Sequence, residues 1–193
     1  MTSRALMTIL ALAVVTATAA CAQTPEAKAS KDLEAMRTET TPERLQTRGE
    51  ASATAGDLTR AEQYFVAALH AGGDPRALTK RLLIVCITDG RYPAAATYAD
   101  DYLRKHPSDT EVRYAAATVY VGMGDLQRAR EGLERVVSER PLDADPHYAL
   151  ASVLRQEGDS LLEADKHYRE YLRLSPDGEF AEAARSSLLK SVP

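Results

Sequence analysis

Four glycines, Gly56, Gly90, Gly124 and Gly158, stand 34 residues apart along the chain. The residues that follow them read "GDLTRA", "GRYPAA", "GDLQRA" and "GDSLLEA". A turn that returns at this interval is the mark of a stacked helix–turn–helix array. Small residues follow the first three glycines at a fixed distance: Ala61, Ala95 and Ala129. The fourth unit carries one extra residue and places Ala164 one step later. Further on, Gly73, Pro107, Pro141 and, after the same shift, Pro176 mark the exits. The recurrence divides the chain into units 42–75, 76–109, 110–143 and 144–178.

Each part of the unit has a physical reason. Glycine takes the left-handed conformation that ends a first helix cheaply. Asp57, Asp125 and Asp159 are placed to accept hydrogen bonds from the free N–H groups that open a second helix. The alanine lets paired helices approach, and the proline cannot continue a helix. Asp-Pro at 74–75 and 145–146 predicts a cap and a first-turn proline for the next helix. The stretch 178–191 has Phe180, Ala183, Ala184, Leu188 and Leu189 at helical spacing. It predicts a capping helix over 179–193 that covers the last unit.

This spacing resembles the tetratricopeptide repeat. Unit three carries the pattern at Ala116, Ala117, Tyr120, Gly124, Asp125, Ala129, Leu133, Val136 and Pro141. Unit two carries it at Leu82, Leu83, Cys86, Gly90, Tyr92, Ala95, Tyr102 and Pro107, and unit four at Leu150, Ala151, Leu154, Gly158, Ala164, Tyr168, Tyr171 and Pro176. Unit one has a sound second helix (Leu58, Ala61, Phe65, Ala68), but Arg48, Gly49 and Ser52 occupy positions where apolar residues are expected. The resemblance implies an all-α, right-handed superhelical α-solenoid of about four repeats with a C-terminal capping helix. It also implies a concave groove, lined by first helices, that holds a partner. Carried over by position, the groove residues are Lys80, Ile84, Ile87 and Thr88 in unit two, and Tyr114, Thr118 and Val121 in unit three. Unit four contributes Tyr148, Ser152, Arg155 and Gln156. Tyr114 and Tyr148 are expected in line on adjacent first helices, facing the groove. The lysine–asparagine clamp of chaperone-binding relatives is missing, because Ile84 sits one turn after Lys80.

The N-terminus differs from everything that follows. "MTSR" opens it with a positive charge, and "ALMTILALAVVTA" is an apolar run shorter than the roughly 20 residues a membrane span needs. Its length suits a secretory signal over residues 1–20. "TATAAC" then resembles the lipobox of bacterial lipoproteins, with Thr18 where leucine is usual and Cys21 as the lipidated residue. That resemblance implies attachment through several acyl chains, a firm anchor where one chain alone is weak. With Ala22 after the cysteine, lipoprotein sorting in Gram-negative cells implies the outer membrane, facing the periplasm. Ordinary cleavage after Ala19 would instead release a soluble protein. Residues 21–41 read as the lipidated cysteine and a polar tether reaching at most about 70 Å.

The net charge of −4 and the absence of long Lys/Arg runs argue against a nucleic-acid footprint. Removing residues 1–20 deletes Arg4 and no acid, so the body becomes more acidic still and stands off an anionic membrane surface. Neither His70, His106, His147 nor His167 belongs to a sequence motif for a metal, and each reads as a surface or helix-end residue. "GMGDLQ" lacks the third glycine of a dinucleotide fingerprint and follows a helix. Cys86 falls on an inward position and reads as a buried apolar side chain. No enzyme, cofactor, metal or small-molecule substrate is expected. The expected partner is an envelope protein or peptide, with pilus or secretion assembly the leading setting; a soluble periplasmic adaptor or an accessory factor in cell-wall metabolism are the alternatives.

Overall fold

The computed structural model describes residues 40–190. The signal-like segment, Cys21 and all but the end of the tether lie outside these residues. Nine α-helices fill the described stretch, with no strand among them. They are α1 Pro42–Thr54, α2 Leu58–His70, α3 Pro75–Thr88, α4 Tyr92–Lys105, α5 Thr110–Met123, α6 Leu126–Glu139, α7 Ala144–Glu157, α8 Leu161–Leu174 and α9 Ala181–Ser187. They form four hairpins, α1–α2, α3–α4, α5–α6 and α7–α8, each packed on the next, and α9 closes on α8.

The periodic glycines all lie at positive φ: Gly56 at 81°, Gly90 at 69°, Gly124 at 75° and Gly158 at 84°. A side chain at any of them would meet open space, so it is the backbone angle that selects glycine. Asp57 accepts from Arg60 N at 3.0 Å and Asp125 from Arg128 N at 3.2 Å, capping α2 and α6 as expected. Asp159 does not cap. The inserted residue moves the start of α8 to Leu161, and Ser160 takes the cap position without a side-chain bond. Of the two Asp-Pro pairs, Asp74 caps α3 and Pro75 opens it, but Asp145 and Pro146 lie inside the first turn of α7, which starts at Ala144.

Every second helix buries the same three positions. They are Ala61, Phe65 and Ala68 in α2; Ala95, Ala99 and Tyr102 in α4; Ala129, Leu133 and Val136 in α6; Ala164, Tyr168 and Tyr171 in α8. A spacing of four and then three residues makes one narrow stripe, the signature of a helix packed on one side. The inner first helices bury more. In α3 the buried set is Leu78, Thr79, Leu82, Leu83, Val85 and Cys86, because neighbours cover it on more than one face.

Two features depart from the sequence expectation. In α1, Gly49 is buried, and a Cβ there would lie 2.5 Å from Phe65 Cε1. The position that looked like a defect is the seat of an aromatic ring. The capping helix is also shorter than expected: α9 ends at Ser187, and Ala183 faces solvent. Leu188 is extended, and Leu189 N donates to the buried carboxylate of Asp165 at 2.8 Å. Asp165 also accepts from Arg169 Nε at 2.6 Å, and these donors hold its pKa below the usual aspartate range despite burial.

Candidate partner-binding face

Ion pairs lace the first helices together. Arg81 reaches back from α3 to Glu50 of α1 at 2.6 Å. Arg76 and Lys80 reach forward to Glu111 of α5, each at 3.0 Å, and Arg76 also meets Asp109 at 2.9 Å. The amide N–H of Val112 and the phenol of Tyr102 donate to Asp109 too, at 3.1 and 2.7 Å. Lys80 is thus exposed, but its ammonium is already engaged with a carboxylate.

Beside this ladder lies a hollow of about 580 Å³. Tyr114 and Ala115 of α5 form one wall, and Asp143, Ala144 and Asp145 at the start of α7 form the other. Lys80 and Glu111 close one end; Arg140 and Leu142, from the turn before α7, edge the rest. Leu142 is 76% exposed and Ile84, on α3, 63% exposed, the two most exposed large apolar side chains among the described residues. Burial, and then the nearby Asp145 carboxylate, raise the pKa of the Tyr114 phenol, so it stays a neutral donor at physiological pH. The lining is mixed, apolar at Tyr114, Ala115, Val136 and Leu142 and charged at Lys80, Glu111, Arg140, Asp143 and Asp145. That suits the side chains and backbone of a peptide segment better than a small metabolite, whose pockets are mostly apolar.

The expected groove residues do not all share this hollow. Lys80 and Tyr114 line it. Thr88 and Thr118 are exposed, but their hydroxyls donate to carbonyls of their own helices, Ile84 O at 2.8 Å and Ala115 O at 2.7 Å. Val121 is exposed, and Ile87 is half-buried against the core. Tyr148 departs most from the expected alignment. Its ring stacks on Phe180 with centroids 4.5 Å apart and planes 11° from parallel, and it also meets Tyr168 and Tyr171. The C-terminal segment therefore takes the face that Tyr148 was expected to offer. Ser152 turns inward too, donating to Tyr148 O and lying 3.3 Å from the Tyr168 hydroxyl. Arg155 and Gln156 are exposed, and Arg155 lines a separate hollow with Leu188, Leu189 and Lys190.

Cys86 is fully buried, and its thiol lies 3.8 Å from Glu62 Oε1. Burial and that carboxylate push its pKa up to about 11, which keeps it an unreactive thiol. The same Glu62 accepts from Arg91 at 2.6 Å and from the Tyr98 hydroxyl at 2.8 Å, tying the first two repeats together. His70 and His106 are exposed at helix ends, with His106 stacked on Tyr102. His147 is not a surface residue: it is 5% exposed and pairs with His167, Nδ1 to Nδ1, at 2.9 Å. Nothing in a single sequence joins two histidines twenty residues apart on different helices. No group of three or more His, Cys, Asp or Glu able to hold a metal occurs among the described residues.

Comparison with known proteins bears on the same architecture. Two tetratricopeptide-repeat family models match, one over residues 47–110 and the other over 87–153, together more than half the chain. The chain belongs to the tetratricopeptide-repeat family. A tetratricopeptide-repeat and J-domain co-chaperone, DNJ1 of Cryptococcus neoformans, is 29% identical over 96 residues; the match takes in 50% of this chain and only 18% of that protein. Among solved structures, YrrB, described as a tetratricopeptide-repeat protein with an unusual peptide-binding site, superposes with a TM-score of 0.66 at 20% identity. The match covers 83% of this chain and 82% of that one. A tetratricopeptide-repeat protein from Parabacteroides merdae gives 0.68 at 19% identity, covering 76% of this chain and 58% of that one. MamA from Desulfovibrio magneticus gives 0.64 at 22%, covering 80% and 86%. At these identities the structures bear on the tetratricopeptide-repeat fold alone.

Proposed function

We propose that this tetratricopeptide-repeat protein is a binding scaffold that holds a segment of a protein partner against the hollow at Tyr114. The observation that carries this reading is that hollow with Leu142, a large apolar side chain left in water, on its edge beside fixed polar groups; Ile84, exposed one helical turn after Lys80, extends the apolar surface on α3. An extended or helical segment would place an apolar residue on Leu142 or Ile84 and donors toward Glu111, Asp143 and Asp145. The peptide-binding site named for YrrB supports a peptide as the occupant. We further propose that the scaffold is tethered by lipid on Cys21 to the outer membrane, faces the periplasm and serves an envelope assembly such as a pilus or secretion system. The order of charge, apolar run, small residues and cysteine in "MTSRALMTILALAVVTATAAC" supports that setting.

Photo-crosslinkers placed at Ile84 and Leu142 in intact cells should form adducts with one and the same envelope protein, and one at Gln127, on an exposed second-helix face, should not. Adducts of equal yield from all three positions, or none from the first two, would remove the hollow as the binding site. Palmitate labelling of wild type that survives in Cys21→Ser would remove the anchor.

A further inference from the structure

A second cleft, of about 360 Å³, lies between α4 and α6 with α5 as its floor, away from the Tyr114 hollow. Four arginines line it, Arg104, Arg113, Arg128 and Arg135, against two carboxylates, Asp100 and Glu131. Ion pairing accounts for three of the four. Arg104 pairs with Asp101; Arg128 pairs with Asp125 at 2.7 Å and Asp100 at 3.3 Å; Arg135 pairs with Glu139 at 3.0 Å. Among the described residues, Arg113, on the floor, has no salt-bridge partner. One of its terminal nitrogens donates to the carbonyl of Pro107, and its Nε is buried without a hydrogen-bond partner among the described residues. A buried guanidinium N–H left unpaired is costly, and a missing acceptor is the direct explanation. Burial and the facing charge of Arg135 destabilise the Arg113 cation, and Glu139 only partly offsets this. Arg128 is held over the Tyr120 ring, 4.3 Å from its centroid, which fixes one wall of the cleft. Gly132 projects no side chain into the space between α5 and α6.

We propose that this cleft is an oxyanion site, taking a carboxylate or phosphate group with Arg113 Nε as the floor donor and Arg128 and Arg135 on the α6 wall. Guanidinium groups present paired donors that match such anions, and an anion would supply both the absent acceptor and the absent charge. The body is acidic overall, so the ligand is recognised through this local cluster and not through the field of the whole molecule.

The test follows the Nε–H signals of Arg113 and Arg135 by NMR at constant ionic strength. One arm titrates inorganic phosphate against chloride, and the other a tetraglutamate peptide against tetraglutamine. A saturable shift of both signals in either arm is expected; phosphate alone identifies a free ion, and the peptide alone an acidic segment. Arg135→Gln, which alters an exposed side chain, should weaken binding about tenfold, the worth of one charge-assisted contact. Arg173→Gln, outside the cleft, should leave it unchanged. Absence of saturation with both probes, or equal weakening by the two variants, would overturn the proposal. Because Arg113 also holds Pro107, Arg113→Gln is read only together with its melting curve.

Discussion

Gly49 yields its place to the ring of Phe65, and Ala129 lets α5 and α6 close on one another. Both positions show a residue chosen for the side chain it lacks. Ala129 is fully buried, so Ala129→Leu must push helices apart or force strained rotamers. Overpacking of this kind typically costs about 1–3 kcal/mol. Gly49→Val should cost a similar amount, because its Cβ alone would already collide with Phe65. Melting of the two variants checks this, and a melting temperature unchanged in either would mean the helix register there is wrong. Only one of these positions was legible from sequence. Ala129 belongs to a recurrent pattern, whereas Gly49 breaks the pattern of its own unit. Its meaning depends on Phe65 of the next helix, a contact that no local spacing encodes. The same holds for the unpaired Nε of Arg113, which is visible only when three helices are placed around it.

The elements divide in the same way. The hairpins were legible because a one-sided helix writes its buried stripe into the sequence, and a left-handed turn writes a glycine. What was lost was the detail that depends on contact between elements: the late start of α8, the early end of α9, and Tyr148 turned toward Phe180. The pair of His147 on α7 and His167 on α8 belongs here, and it makes the last hairpin sensitive to acid. His147 Nε2 lies 3.0 Å from Pro141 O, an acceptor, so that nitrogen carries a proton and donates. His147 Nδ1 is then the acceptor for His167 Nδ1–H. Burial and the neighbouring His147 lower the pKa of His167, while Glu163, Glu134 and Glu170 pull it the other way. The unfolded chain therefore takes up a proton at higher pH than the folded one. Stability is held above the ordinary histidine value of 6.5 and falls progressively below it, until the lowered folded value is passed. Thermal melts between pH 7.5 and 5 should show wild type losing stability more steeply than His167→Gln, whose amide can still donate to His147. Equal slopes would show that other groups carry the acid response.

A repeat array has no single centre, so its stability rests on each unit covering its neighbour and on something covering the ends. Two clusters make up the interior here. One joins α1, α2 and α3 through Leu45, Phe65, Leu78 and Leu82; the other runs from α3 to α9, and Tyr98 packs against both. At the C-terminal end the cover is slight but specific. Phe180 lies on Tyr148, its amide donates to the Tyr171 hydroxyl at 2.9 Å, Ala181 and Ala184 are buried, and Leu189 N is fixed by Asp165. Deleting residues 179–193 would strip these contacts and leave Tyr148, Tyr168 and Tyr171 facing water, with Asp165 deprived of a donor. Such a face is an aggregation liability as well as a loss of buried area. The truncated protein should bind a hydrophobic dye, melt lower, and exchange amide protons faster in α7 and α8 than in α3 to α5. Nearest-neighbour coupling is what orders that exchange: the lesion frays the array from the damaged end and reaches the interior hairpins last. Uniform acceleration across all helices would instead mean that the four hairpins open as one block, and the tyrosine cluster would then be part of a global core.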